Sequence, residues 1–263
     1  MPPLALVGSL SYDLIDGGPP RPGGAPVHCG KALRLLDARV AIVGRCGQKD
    51  EPAFRRMLAK LGLAATIRPG NETTTFSFTY DGDRRDMYVD RIGDPWTLSD
   101  VRGLSAGGWL HAGALLRGDF PENVVAELAR GRRLSFDGQG LTRARMLGPL
   151  RLEGDPGSDI LRHVSTLKLA VEEAEALAGG IEHRSLAALG PPEVLVTFGS
   201  DGSLVVTGDK AVEVRARHVD ADPTGSGDAF AIGYLVSRAA GLAPVSAARR
   251  ATALVGDLLR ARA

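Results

Sequence analysis

The sequence predicts an α/β protein whose mostly parallel sheet is covered by helices on both faces. Three observations lead there. Short β-rich runs alternate with amphipathic helical patterns along the 263 residues, and such alternation implies parallel strands joined by crossover helices. One stretch breaks the rhythm with a β-hairpin pattern, so a small β element is added to the α/β body. Gly is frequent, at 34 residues, which suits tight turns between short elements.

The elements follow in order. Leu4 to Gly8 reads as a buried strand. A Pro/Gly loop runs from Gly17 to Gly24, and Val27 to Leu36 reads as a helix with Val27, Leu33 and Leu36 near one face. Val40 to Val43 is a second strand. In Glu51 to Leu61, residues Phe54, Met57, Leu58 and Leu61 follow helical spacing. Thr73 to Tyr80 and Arg84 to Val89 flank Asp81-Gly82, a hairpin signal. The rhythm then resumes with strands at Trp109–Ala112, Leu134–Phe136, Thr166–Leu169 and Val194–Phe198, and helices at Pro121–Arg130, Val171–Ala178 and Ser185–Leu189. Ser203–Thr207 and Ala211–Val214 form a late antiparallel pair around Gly208-Asp209. Helices at Gly227–Ala240 and Ser246–Ala261 close the chain.

Composition excludes several classes. The chain is 44% hydrophobic and 24% charged, with net charge +1. A disordered chain has fewer apolar residues and more net charge, and a nucleic-acid binder has a basic footprint. The apolar run Ala229 to Val236 is far short of the ~18 residues of a membrane span. The N-terminus lacks the basic and apolar regions of a signal peptide. Cys29 and Cys46 are the only cysteines, which excludes a disulfide framework. The expectation is one cytoplasmic, enzyme-sized domain over residues 1–263 with no nucleic-acid or membrane partner.

Familiar motifs fail. Gly30-Lys31 is followed by Ala32 rather than Ser or Thr, so there is no Walker A loop. Gly225-Ser226-Gly227 is followed by Phe230 where a dinucleotide fingerprint needs Gly, which argues against a nucleotide-cofactor oxidoreductase. Gly103-Leu104-Ser105-Ala106-Gly107 matches Gly-x-Ser-x-Gly, but a short helical stretch precedes it and a strand follows, the reverse of a nucleophile elbow. The five His residues show no zinc spacing.

The segment that carries chemistry is Val219 to Phe230. Pro223 stops the preceding element, Gly225 and Gly227 allow a tight turn, and an apolar helix begins at once. Unpaired N–H groups and the helix dipole then favour an anion at one point. Asp228 lies in the first helical turn, where the dipole favours its ionised form. An anion hole beside a carboxylate base suits phosphoryl transfer to a hydroxyl. The same pattern also fits an ordinary Asp at a helix start, and the local pattern alone does not choose.

Asp222-Pro223-Thr224-Gly225-Ser226-Gly227-Asp228-Ala229-Phe230 resembles the C-terminal signature of the PfkB/ribokinase family of carbohydrate kinases. Gly23-Gly24 and Val43 to Asp50 are similar to its N-terminal signature. Val196 to Gly202 resembles its nucleotide-side strand and turn, and Lys168 with Glu172-Glu173-Ala174-Glu175 resembles the segment of its Asn-x-x-Glu motif. The resemblance covers nearly the whole chain. It implies a ribokinase-like, Rossmann-type three-layer sandwich with a small β lid around residues 73–90. It also implies ATP and Mg2+ as cofactors, Asp228 as base, and Gly225, Ser226 and Gly227 as the anion hole. Glu173 would organise Mg2+ through water, and Thr197, Gly199, Ser200 and Gly202, with Gly225 and Gly227, would line the nucleotide. Asp222 and Thr224 resemble positions that hold a monovalent cation such as K+ in some members. Two departures stand out: Ala170 replaces the motif Asn, and His28 replaces an Asn that helps bind ribose.

Other residues fill the acceptor side. Asp13 follows the first strand, where the family places an Asp on acceptor hydroxyls; with Gly23, Gly24, His28 and Gln139 it forms the expected substrate site. Asp137 to Arg143 resembles an Asp-x-Gln-Gly-x-x-Arg segment of an inositol-kinase branch, with Arg143 assigned to the transferred phosphate. His111 and Arg117 are weaker candidates, and Lys168 reads as a strand-end surface charge. The acceptor expected is a small neutral polyol, a sugar or cyclitol such as myo-inositol. Phe76, Phe78 and Tyr80 keep a nucleoside open, and Ala170 keeps open a binding or regulatory protein with weak catalysis. Exposed lid strands can pair two copies into a homodimer.

Overall fold

The first strand, β1 (Leu4–Ile15), is 12 residues long and serves two sheets. In this computed structural model residues 3–81, 84–104, 108–155 and 158–262 are described. Gly82 of the expected turn, and Ser105, Ala106 and Gly107 of the Gly-x-Ser-x-Gly match, lie outside them. After β1 come β2 (Arg21–Gly24), α1 (Ala25–Leu36), β3 (Ala41–Gly47), α2 (Glu51–Lys60), β4 (Ala65–Gly70), β5 (Thr74–Asp81) and β6 (Arg84–Arg91). Then follow α3 (Leu98–Val101), β7 (Trp109–Gly113), α4 (Glu122–Ala129), β8 (Arg133–Asp137), α5 (Gln139–Thr142) and β9 (Gly148–Pro149). The last part holds β10 (Thr166–Ala170), α6 (Val171–Ala178), α7 (His183–Ala187), β11 (Glu193–Thr197), β12 (Gly202–Thr207), β13 (Lys210–Arg215), α8 (Ser226–Ala239) and α9 (Pro244–Arg260).

The main sheet runs β4-β3-β1-β7-β8-β10-β11-β12-β13. It is parallel from β4 to β11, and β12 and β13 return antiparallel. The chain builds outward from β1 to one side, then restarts at β7 and builds to the other. That reversal opens a crevice at the C-terminal ends of the strands, the general ligand position in open α/β sheets. Two apolar layers cover the sheet. One packs Val7, Leu110, Leu134, Leu167 and Val194 against α4, α6 and α7. The other packs Leu6, Ile42 and Leu195 against α1, α8 and α9. Helix α8 is buried on nearly every side, as its almost unbroken apolar run requires.

Beyond Ser9, β1 leaves the main sheet. Leu10 to Asp13 pair with β2, and Ser11 to Ile15 pair with β5. With β6 and β9 these strands form a second, five-stranded sheet. The expected hairpin is therefore part of a larger element that also recruits Arg21–Gly24, expected as loop. Strand β4, absent from the sequence expectation, carries Pro69, which is tolerated because β4 is the sheet's edge. Helix α7 starts and ends two residues before the expected span. No helix among the described residues is long and apolar enough to cross a membrane.

One buried network ties α8 to the sheet. Glu193, at the start of β11, receives the Tyr234 hydroxyl at 2.7 Å, Arg238 Nη2 at 2.5 Å and the Thr166 hydroxyl at 3.2 Å. Because α8 starts at the Gly turn, this network also anchors the turn. Arg238→Met leaves the Glu193 carboxylate buried without its cation and is expected to cost about 3–5 kcal/mol, read by urea denaturation. A loss below about 1 kcal/mol, the scale of an exposed pair, would contradict the anchoring role.

Candidate active site

Local contacts shape the turn before α8. Asp222 Oδ1 accepts the Thr224 N–H at 2.9 Å and the Thr224 hydroxyl at 2.6 Å. The Ser226 N–H is donated to the Pro223 carbonyl at 2.9 Å. Gly225 has φ 78°, in the left-handed region, and a Cβ there would strike the His28 ring. Only Gly satisfies both conditions. Gly225 and Gly227 have no protein partner for their N–H groups among the described residues. The expected three-residue anion hole is thus corrected: Ser226 has spent its N–H on the turn, and its hydroxyl remains.

Five charged side chains crowd beneath this turn. Lys168 points away from Leu167 and Leu169, which face the apolar layer under α4 and α6. It is 3% exposed, so the expected surface charge is corrected to a buried one. Its Nζ lies 3.7 Å from Asp137 Oδ1, and a Cβ on Gly227 would sit 3.0 Å from it. Arg143 Nε lies 3.7 Å from Glu173 Oε1, and Glu173 Oε2 accepts the Ala170 N–H at 2.9 Å. Ala170 offers no side-chain acceptor, so only this half of a capping box forms. Asp137 is 1% exposed and its Oδ2 has no partner.

The electrostatics follow from burial. Burial raises the Asp137 carboxyl to about 6 against the attraction of Lys168. Burial likewise raises Asp228, and Lys168 and Arg143 restrain the rise. The helix dipole expected to favour ionised Asp228 is outweighed by the loss of water. For Lys168, burial disfavours the charge, but Asp137, Glu173 and Asp228 outweigh it and hold the ammonium above its usual range.

On the opposite wall Asp13 is buried on the second-sheet half of β1. Its Oδ1 accepts the Ser11 hydroxyl at 3.2 Å, and its Oδ2 lies 4.0 Å from His28 Nε2. Gly23 packs against this carboxylate, where a Cβ would collide. Burial pushes His28 down to about 4, despite the pull of Asp13, and its Nδ1 is buried without a partner. The imidazole is therefore neutral at pH 7.

A cavity of about 1360 Å³ joins the two walls. Its lining includes Asp13, Gly24, His28, Gln139, Arg143, Glu173, Thr197, Gly199, Ser200, Thr224, Gly225, Ser226, Gly227 and Asp228. Gly202 lines an adjoining cavity of about 1020 Å³. Of the expected site residues, Gly23 and Asp222 alone stand outside both linings. Lys168 lines the cavity and was missed; the signal was a lone Lys within the apolar run Thr166–Ala170. His111 is buried beneath Ser135 and Arg117 pairs with exposed Glu153, so neither reaches the site.

Residues 20–255 match the profile of the pfkB family carbohydrate kinases. The chain belongs to that family. A 1-phosphofructokinase of Haloferax volcanii is 39% identical over 247 residues, spanning 86% of this chain and 76% of the relative. Among solved structures, a pyrophosphate-dependent kinase of the ribokinase family, complexed with a pyrophosphate analog and myo-inositol, superposes with TM-score 0.85. It has 23% identity and covers 98% of this chain and 95% of its own. A Vibrio cholerae fructokinase in a fructose, ADP and potassium ion bound form gives TM-score 0.72 and 23% identity, covering 96% and 89%. The fold is the ribokinase-like α/β sandwich, and the protein is a kinase of the carbohydrate kinase family.

Lys168 restrains the rise that burial imposes on Asp228. Ionised Asp228 is present above its pKa, so activity that needs it declines as pH falls through that value. Lys168→Met removes a restraining charge and is expected to move the acid limb of the kcat/KM profile to higher pH, with lower turnover. A limb that stays in place would separate Lys168 from Asp228.

Proposed function

We propose that the protein transfers the γ-phosphoryl group of ATP to a hydroxyl of a small neutral polyol, a sugar or cyclitol, with Asp228 as general base. The observation that carries this reading is the position of Asp228. It opens on the cavity beside the free Gly225 and Gly227 N–H groups, with Lys168 and Arg143 close by, His28 packed on Gly225 and Asp13 beside His28.

Each residue follows from its chemistry. Asp13 accepts from an acceptor hydroxyl and neutral His28 offers a second polar contact; Gln139 reads another hydroxyl through its amide. Gly24 lets the backbone approach, and Gly23 supports Asp13. Asp228 takes the proton of the attacking hydroxyl. Its raised pKa brings it nearer the working pH, where a general base is most effective. The N–H groups of Gly225 and Gly227, the Ser226 hydroxyl, Arg143 and Lys168 stabilise charge on the transferred group. Mg2+ would neutralise phosphate charge when bound. Among the described residues no three His, Cys, Asp or Glu side chains converge so as to hold a metal ion directly, but Mg2+ keeps several waters and needs few carboxylates. Glu173 on the cavity wall fits that demand through water.

Two choices remain, donor and acceptor. The adjoining cavity shares Thr197, Gly199, Ser200 and Gly227 with the first and continues past Val219, Phe230, Ala253, Val255 and Leu259. The same lining holds Arg215, Arg217, Arg249 and Arg260, which suit phosphate of either donor; the room and apolar surface suit a nucleoside, and pyrophosphate would leave them unused, which supports ATP. The similarity to 1-phosphofructokinase points to a phosphorylated sugar. Against that, the described acceptor-side lining, Ser11, Asp13, Gly24, His28, Phe76, Met87, Leu115 and Gln139, has Arg143 as its one neighbouring strong cation, which this reading assigns to the transferred phosphate, and Asp13 repels a substrate phosphate. The second sheet would cover the acceptor as a lid.

The test is an initial-rate panel of myo-inositol, ribose, fructose, fructose 1-phosphate, fructose 6-phosphate, adenosine and cytidine, each with ATP and with pyrophosphate. A neutral polyol with ATP is expected to give the highest kcat/KM. A phosphorylated sugar or nucleoside in first place would overturn the acceptor reading, and pyrophosphate in first place the donor reading. Asp228→Asn is expected to lower turnover by about 10²–10⁴-fold with ATP affinity unchanged; turnover close to wild type would remove Asp228 as the base.

A further inference from the structure

The turn that presents the anion hole has a second side. In a trans peptide the C=O and N–H groups point in opposite directions. The Gly225 N–H, on the cavity lining and without a protein partner among the described residues, therefore points opposite to the Thr224 carbonyl. That carbonyl meets the Asp222 carbonyl, and Arg262 bonds both: its Nη1 donates to Asp222 O and to Thr224 O, each at 2.9 Å. The Asp222 carboxylate is held inside the turn by Thr224. These are the two residues expected to hold a monovalent cation. With a guanidinium already on both carbonyls and the carboxylate occupied by Thr224, they do not fit a K+ ion.

We propose that Arg262 is a built-in cation: it fixes the Thr224–Gly225 peptide, and with it the Gly225 N–H, so that phosphoryl transfer needs no monovalent cation. Arg262 is a positioning residue, since it touches the turn and lies outside the cavity lining. The turn's two carbonyl dipoles converge on one point and repel unless a positive charge sits between them. An exposed side chain bonded to both carbonyls supplies that charge without dependence on the salt present. Arg21 and Lys31 lie near the same region and are the other cations that act on Asp222 and its surroundings. Neither donates to these carbonyls. The proposal rests on the kinase reading, because it concerns how that reaction's anion hole is aimed.

The test measures initial rates of the wild type and Arg262→Ala in KCl, NaCl and choline chloride at one ionic strength. The wild type is expected to run equally in all three, and activation by K+ would overturn the proposal. Arg262→Ala is expected to lose kcat by up to about 10²-fold, the scale of one misplaced oxyanion donor, with acceptor KM unchanged. K+ or added guanidinium should restore part of the loss where choline does not. An unchanged kcat, or a loss that no cation relieves, would overturn the proposal. If no acceptor is turned over in any salt, the kinase reading is what fails, and melting temperatures still decide this one. K+ that raises Tm of Arg262→Ala but not of the wild type supports it; an equal response in both overturns it.

Discussion

Everything in this active site depends on holding three carboxylates and two cations together away from bulk water. Asp137, Glu173 and Asp228 face Lys168 and Arg143 beneath one turn of backbone. None of the five would be tolerated there alone, since an unpaired buried charge is strongly unfavourable. Together they reach a balance that still leaves Asp137 at about 6 and Asp228 above the usual carboxylate range. That residual discomfort is the useful property. For the proposed reaction, a carboxylate raised by burial and cations without carboxylate contacts shorter than 3.7 Å suit an incoming phosphoryl group.

The fold supplies the balance through three elements. Strand β10 carries Lys168 at its centre, on the side opposite its apolar neighbours. Helix α8 starts at the Gly turn and is held to β11 by Glu193, Tyr234 and Arg238. Strand β1 passes from the main sheet into the second one and carries Asp13 across the crevice. One wall of the cavity thus comes from the main sheet and the other from the second sheet, and β1 is the covalent link between them.

Much of this was legible in the sequence. The alternation of strands and helices, and the Gly turn before an apolar helix, are local patterns, and both are where they were expected. What was not legible depends on tertiary contact. Residues 10–15 include Tyr12 and Asp13 and do not read as strand, because their partners β2 and β5 lie elsewhere in the chain. Pro69 hides β4, which only its edge position permits. Lys168 read as a surface charge because its burial requires Asp137, Glu173 and Asp228 from three other segments. For Asp228, desolvation follows from the packed fold and is not visible in a local Gly-turn pattern. Arg262 is one arginine among many until the fold sets it on the Thr224 carbonyl.

The central claim is that Asp228 is held by burial above the ordinary carboxylate range while nearby cations keep it ionisable. A carboxyl ¹³C NMR titration of the free enzyme reads this directly, with the Asp228 signal assigned by its absence in Asp228→Asn. The account predicts that this signal titrates clearly above the unperturbed Asp value of about 3.9. Titration at or below that value would contradict it.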